Sequence, residues 1–309
     1  MTAALKMRFP IRITLLLMAS ATIAAAAEEA TRPETPGPLR VATFNIRLGS
    51  ANDGEDRWQV RRERTIEAIR GLNADILGLQ EAEPFQTRAL LEALPQYFAV
   101  GVSREDGRIR GEACPLLVDR TRFAVAESGV FWLSDRPDEP GSITWDNVCP
   151  RLCTWARLID RRSGRGCVVY NTHLDHVGQA SREKAAEQIR AHFLALAARR
   201  ASGANAGGID PLIVMGDFNS GEDNPVVARL RGPADDPLVL RDSYRVIHPD
   251  GAAGTFTRFD LASAGGPHKI DYVWIGLGWT VHAADIDRRK VNGRWPSDHF
   301  PVWAELEWE

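Results

Sequence analysis

The feature that most constrains this chain is a succession of short apolar runs, rich in Val, Ile, Tyr, Phe and Trp, that begins near residue 39 and continues to the end. Among them are LRVATFNI (39–46), DILGLQ (75–80), ACPLLV (113–118), FAVAESGVFWL (123–133), CTWARLID (153–160), CVVYNTHL (167–174), PLIVMGD (211–217), KIDYVWIG (269–276) and PVWAELEW (301–308). β-Branched and aromatic side chains fit a pleated, half-buried surface, so these runs predict strands. Helical patterns lie between some of them. Over 180–200, Ile189, Phe193 and Leu196 recur at spacings of four and three. Arg182, Glu183 and Lys184 open that segment, and Arg199 and Arg200 suit the negative end of its dipole. A second helix is predicted over 57–72, with Ile66 and Ile69 on its apolar side and Gly71 near its end. The stretch LIDRRSGRGCVVY reads as a hairpin turning near Ser163-Gly164. Hairpins interrupt the alternation of strand and helix, so the expected fold class is α/β with mixed rather than purely parallel pairing.

The N-terminus is read apart from the fold. Lys6, Arg8 and Arg12 lead into ITLLLMASATIAAAA, and Ala25 and Ala27 fit a small-residue cleavage pattern, so residues 1–27 are predicted to be a signal peptide. An uncleaved anchor is the alternative, but the run is short for a bilayer span and rich in Ala. Residues 28–38, EEATRPETPGP, are expected to be a disordered lead-in, leaving 39–309 as one domain. The protein is therefore expected to be exported, periplasmic or extracellular, with no stable membrane span after cleavage. Loss of 1–27 removes three basic and no acidic residues, which takes the formal net charge from -3 to -6. That is not the basic surface of an avid nucleic-acid binder. Cys114, Cys149, Cys153 and Cys167 lack zinc-ligand spacing. Export permits disulfides among them, in a pairing the sequence does not fix.

Polar residues interrupt the strands at their ends. Asn45 lies at the end of VATFNI, Glu81 follows DILGLQ, and His173 closes VVYNTH. Asp217 and Asn219 follow LIVM in GDFN, Asp271 lies in KIDYVWIG, and Asp298 and His299 precede FPVW. Each alone has a plain structural reading: an Asn caps a turn, a Glu is solvated, a lone His satisfies a core hydrogen bond. Six such segments in one chain argue instead for a shared cleft where strand ends meet at one rim. The chemistry is coherent. Asn45, Glu81 and Asp298 offer hard oxygens that suit Mg²⁺ or Mn²⁺. His299 can serve as a base, with Asp271 holding its other ring nitrogen. Asp217 and Asn219 can orient a water and a phosphoryl oxygen, and His173 can donate to a developing oxyanion. There is no GxSxG, HExxH, P-loop or GxGxxG after a strand, so direct attack by water is expected.

Taken in order, VATFNIRLG, LGLQE, NTHLDH, GDFN, KIDYVW and PSDHFPV resemble the endonuclease/exonuclease/phosphatase superfamily with its deoxyribonuclease-like fold, over nearly all of 39–309. The resemblance implies a four-layer α/β sandwich, two packed mixed β-sheets flanked by helices. It also implies Mg²⁺-dependent hydrolysis of a phosphoester, with Mn²⁺ as a substitute. By the same resemblance Glu81 is the main metal ligand, supported by Asn45 and Asp298. His299 with Asp271 activates water, Asp217 and Asn219 flank the scissile phosphate, and His173 contacts the phosphate or the leaving group. Glu112 in GEACPLL is implied to orient His173, and Arg151 in CPRLCTW to bind phosphate. Arg47 stands where abasic-site endonucleases carry an acid, and HKIDYVW lacks the WCDR element of inositol polyphosphate 5-phosphatases. The pattern looks most like secreted bacterial members. The expected partner is a phosphoester substrate, whether a small molecule, a lipid headgroup or a nucleic acid, with no obligatory protein partner. Nuclease action on DNA or RNA stays open, with Arg47, Arg151 and Arg294 as a phosphate rim and Trp295 either stacking or packing. A non-catalytic binding protein on the same fold is the rival class, but such a chain is expected to lose Glu81, Asp217 or His299, and all three are present.

Overall fold

Side chains alternate across a strand, and that alternation sorts this chain into layers. The computed structural model describes residues 37–202, 209–233, 236 and 238–309. The expected signal peptide and nearly all of the expected lead-in lie outside them. In β1 (Leu39–Asn45), Leu39 and Val41 enter one hydrophobic cluster while Ala42 and Phe44 enter another. In β8 (Leu212–Asp217), Ile213 and Met215 join the cluster of Leu39, and Leu212 and Val214 join a third.

The shared cluster lies between two six-stranded sheets. The first has the order β11-β12-β1-β2-β4-β3, with β2 at Ile76–Gln80, β3 at Tyr97–Val100, β4 at Leu116–Asp119, β11 at Trp279–Ile286 and β12 at Val302–Trp308. The second has the order β5-β6-β7-β8-β10-β9, with β5 at Phe123–Trp132, β6 at Leu152–Asp160, β7 at Gly166–His173, β9 at Arg241–Asp242 and β10 at Asp271–Ile275. Only β1/β2 and β7/β8 pair in parallel, so both sheets are mixed. The outer face of the first sheet packs against α1 (Trp58–Leu72) and α2 (Pro84–Ala93), and that of the second against α3 (Gln179–Ala201) and α4 (Pro225–Arg231). A short α5 (Ser243–Ile247) follows β9. The expected sandwich of two mixed sheets flanked by helices is therefore present.

The two helices read from periodicity are α1 and α3. α1 ends at Leu72, one residue past Gly71 and at the expected boundary, and Asn73 with its left-handed φ of 47° closes it. α2 was not read, although Glu83, Pro84 and Gln86 form a capping box with Pro in the first turn. The expected hairpin joins β6 to β7.

Candidate active site

Strand register brings the polar residues together. Parallel pairing sets His173 opposite Asp217, and antiparallel pairing sets Asp271 opposite the same Asp217. Parity then points them inward. Asp217 shares the face of Ile213 and Met215, Asp271 that of Val273 and Ile275, His173 that of Cys167 and Val169, and Asn45 that of Leu39 and Val41. At this end of the sandwich the filling between the sheets changes from apolar to polar. Gly216, with φ of 148°, permits the approach, because a Cβ there would lie 2.0 Å from the Thr172 carbonyl oxygen. Arg47, Glu81 and Asn219 adopt left-handed φ values of 58°, 57° and 47°, a conformation that costs side-chain-bearing residues energy and collects at functional sites.

His299 Nδ1 meets Asp271 Oδ2 at 2.9 Å. A carboxylate accepts only, so Nδ1 carries the proton and Nε2, 3.8 Å from Asp217 Oδ2, is the free nitrogen. Phe256 packs on the imidazole with ring centroids 4.8 Å apart. Burial draws the His299 pKa down, but the carboxylates of Asp271, Asp217 and Asp298 by themselves outweigh it and raise the pKa well above the usual value; a cation held by Asp298 would oppose that pull and favour the neutral ring with Nε2 unprotonated. Burial, reinforced by Asp271, pushes the Asp217 carboxyl up to about 7 against the opposing pull of His299. His173 Nε2 lies 3.4 Å from Asp217 Oδ2. Burial, with Arg151 and Arg104 nearby, holds its pKa well below the usual value.

Glu81 Oε2 accepts from the Leu48 N–H at 2.8 Å, and Glu81 Oε1 accepts from Asn45 Nδ2 at 3.0 Å. Asn45 Nδ2 also donates to Asp217 Oδ2 at 3.0 Å, while its Oδ1 accepts from the Arg47 N–H at 2.9 Å. Asn45 thus ties two carboxylates together through its nitrogen, where an oxygen ligand had been expected. The path Glu81–Asn45–Asp217–His299 keeps the first carboxylate within about 10 Å of the imidazole. Asn219 donates its backbone N–H to Asp217 Oδ1 at 2.9 Å and its Nδ2 to the Leu174 carbonyl at 3.0 Å.

Burial and the charge of Glu81 raise the Asp298 pKa against the pull of His299. The cation between these two acids is Arg47, 3.8 Å from Glu81 Oε2 and 3.8 Å from Asp298 Oδ2, and its guanidinium is already paired with Asp53 at 3.0 Å. Two crowded carboxylates facing one cleft fit a hard cation. A second group, Asp217, Asp271 and His299, has its ligand atoms within 4.8 Å of one another. There Nδ1 and Asp271 already satisfy each other, so that trio reads as an imidazole and its carboxylates.

The cleft measures about 300 Å³. Arg104, Arg151 and His176 also line it. Arg151 is 4 % exposed and reaches Asp175 Oδ2 at 3.4 Å through Nε and His176 Nδ1 at 3.0 Å through Nη2. Its Nη1 is buried with no partner among the described residues. Glu112 lines the cleft as expected, but its carboxylate takes Arg104 at 2.7 Å. No hydrogen bond joins it to His173, whose Nδ1 is buried without a partner. Arg294 faces Glu55 and Asp56 instead of the cleft, and Trp295 is buried with its Nε1 on the Asp260 carbonyl at 2.8 Å. Sequence reading did not single out Arg104, His176 or Phe256. His176 was within the quoted NTHLDH, three residues after His173, whereas the other two sit in loops without a motif. The four cysteines are unbonded, and burial pushes the Cys114 thiol up to about 12. Among the described residues no helix is long and apolar enough to cross a membrane.

Comparison with known proteins agrees with this fold. A sequence model of the Endonuclease/Exonuclease/phosphatase family matches residues 42–299. An endonuclease/exonuclease/phosphatase from Bacteroides vulgatus is similar at 32% identity and a TM-score of 0.78, covering 89% of this chain and 100% of that one. A mannosyl-6-phosphatase from Bacteroides thetaiotaomicron is similar at 31% identity and a TM-score of 0.75, covering 87% and 100%. Nocturnin of Drosophila melanogaster is 23% identical over 313 residues, which is 87% of this chain and 46% of that protein. The chain spans about half the length of the curated relatives it matches.

Proposed function

The chain belongs to the endonuclease/exonuclease/phosphatase family, and on that premise we propose that it is an exported, metal-dependent phosphomonoesterase acting on a small phosphorylated molecule. Members of this family are phosphoric ester hydrolases and generally depend on a divalent metal. The observation that carries the proposal is the His299 imidazole, held at Nδ1 by buried Asp271, in a cleft that Glu81 and Asp298 also line.

In this reading Glu81 and Asp298 hold Mg²⁺, or Mn²⁺ in its place, with Asn45 steadying Glu81. When bound, the ion offsets charge on the phosphoryl oxygens. His299 Nε2 takes a proton from the attacking water, and Asp271 keeps the imidazole in the required tautomer and stabilises its positive charge. Asp217 and Asn219 hold the water and a phosphoryl oxygen beside it. Neutral His173 donates to the phosphate or the departing oxygen. Arg151, with an unpaired buried Nη1, binds a non-bridging oxygen. Glu112 acts through Arg104, holding that guanidinium in the same cleft.

Arg104, Arg151 and His176 in one small cleft suit a terminal, doubly charged phosphate, and the similarity to a sugar-phosphate phosphatase supports the same choice. Arg47, Arg104 and Arg151 around one cleft also favour a second reading, cleavage of DNA or RNA. Export rests on the N-terminal sequence, and the mass of the secreted protein tests it. The deciding experiment is a panel of sugar phosphates, phospholipid headgroups, plasmid DNA, RNA and abasic duplex, with Mg²⁺, Mn²⁺ or EDTA. Metal-dependent release of phosphate from monoesters is expected. Cleavage of nucleic acid alone would refute the monoester reading. Equal turnover by His299→Ala would refute the base.

A further inference from the structure

Beside the catalytic cleft lies a second cavity of about 420 Å³, formed by residues 256–270. Phe256 lines both spaces. The roomier cavity elsewhere, about 430 Å³ beside α2, has no lining residue in common with the cleft.

The shared wall is fixed to the catalytic residues. Phe256 forms a β-bridge with His299, and the Thr257 N–H donates to the Asp298 carbonyl at 2.6 Å. Behind it the backbone doubles back so closely that a Cβ on Gly254 would lie 2.0 Å from the Gly266 carbonyl oxygen, and one on Gly265 would lie 2.0 Å from that of Gly254. The turn beyond is strained. Arg258 and Phe259 both adopt left-handed φ, 55° and 63°.

The strained turn presents solvent-exposed polar groups to the second cavity. Arg258 makes no hydrogen bond or ion pair among the described residues, and its nearest aromatic face is Phe256 at 5.6 Å. Asp260 uses Oδ1 on the Ala262 N–H at 2.9 Å, which leaves Oδ2 free. The His268 ring and the Ser263 hydroxyl also line this space. One cation, one carboxylate, an imidazole and a hydroxyl mix donors with acceptors. Hydroxyl groups match that mixture because each both donates and accepts. A second phosphate would meet Asp260, and an acyl chain would strip water from these exposed polar groups without replacing its hydrogen bonds.

We propose that this cavity receives the alcohol portion of the substrate, and that this portion is a polyhydroxylated, sugar-like ring lying against Phe256 with its hydroxyls on Arg258, Asp260 and His268. The phosphate would occupy the cleft while its ester carbon points across Phe256. The proposal rests on the phosphomonoester reading and adds the class of alcohol.

Two measurements test it, and they separate its failure from failure of that reading. The first is the ratio of kcat/KM for a hexose 6-phosphate over 4-nitrophenyl phosphate, which should fall about tenfold in Arg258→Ala and in Asp260→Ala, with folding checked by circular dichroism. The second is calorimetric titration of His299→Ala protein with Mn²⁺ present. The hexose phosphate should bind about tenfold more tightly than inorganic phosphate, and adding Asp260→Ala should erase the difference. An unaltered ratio or equal binding of the two ligands would each overturn the sugar subsite. Wild-type protein that hydrolyses neither ester would overturn the phosphomonoester reading itself, and the titration would still decide whether the cavity holds a sugar.

Discussion

Replacement of Asp271 by Asn tests the centre of the mechanism with the smallest change of shape. Asp271 is fully buried and meets His299 Nδ1 at 2.9 Å. The substitution keeps the volume and removes one negative charge. When water gives up its proton, His299 becomes an imidazolium, and Asp271 is the carboxylate beside it. A pair of unit charges about 4 Å apart at an effective dielectric near 20 interacts by about 4 kcal/mol. Loss of that interaction in the transition state corresponds to roughly a thousandfold drop in rate. The drop should appear in kcat, with KM nearly unchanged, because the charge develops only during reaction. Steady-state rates of phosphate release with saturating Mn²⁺ measure it. Folding should survive, since the amide oxygen can accept from His299 Nδ1 and the amide nitrogen takes the place of Oδ1, which is already buried without a partner. A folded variant with kcat within about threefold of wild type would refute the role of the pair. A raised KM at constant kcat would move Asp271 from transition-state support to ground-state binding.

Three further outcomes follow from particular contacts. Asp298→Asn relieves repulsion between two crowded acids, so the metal-free protein should melt about 2–4 °C higher, while the stabilisation on adding Mn²⁺ in a thermal melt should shrink; a lower melting point without metal counts against the charge crowding. Arg151→Ala removes an unpaired buried donor from the cleft wall and should cost about 10- to 100-fold in kcat/KM for a phosphomonoester, and undiminished activity would place Arg151 among purely structural residues. Lys269 is fully buried and meets Asp242 at 2.8 Å, so Lys269→Met strands a buried carboxylate and should cost about 3–5 kcal/mol in urea unfolding; a loss below about 1 kcal/mol would show that water reaches Asp242.

The site was readable where burying a polar group is expensive. A strand through a core tolerates an Asp or His only if something satisfies it, so Asp217 in LIVMGD and Asp271 in KIDYVW stand out against apolar neighbours. Period two then assigns them a face without any knowledge of the fold. Strands without that contrast were harder to read. β11 was missed because Thr280 and Asp285 break its apolar run on the exposed side of an edge strand. β3 was missed because it is four residues long. Partners set by loops left no trace at all. Glu112 shares the cleft with Arg104, Arg151 and His173, and sequence order cannot decide among them. The loop that precedes it decides. Asp106 gathers the N–H groups of Arg108, Ile109 and Arg110, folding the segment so that Arg104 returns beside Glu112. The same reasoning covers Asn45, since a sequence states that an amide is present but not which end meets the carboxylates. That end is set by Arg47, whose backbone N–H claims the oxygen and turns the nitrogen toward Glu81 and Asp217. A cation arriving between Glu81 and Asp298 would compete with the Asn45 amide for Glu81 and with the Arg47 guanidinium for both carboxylates.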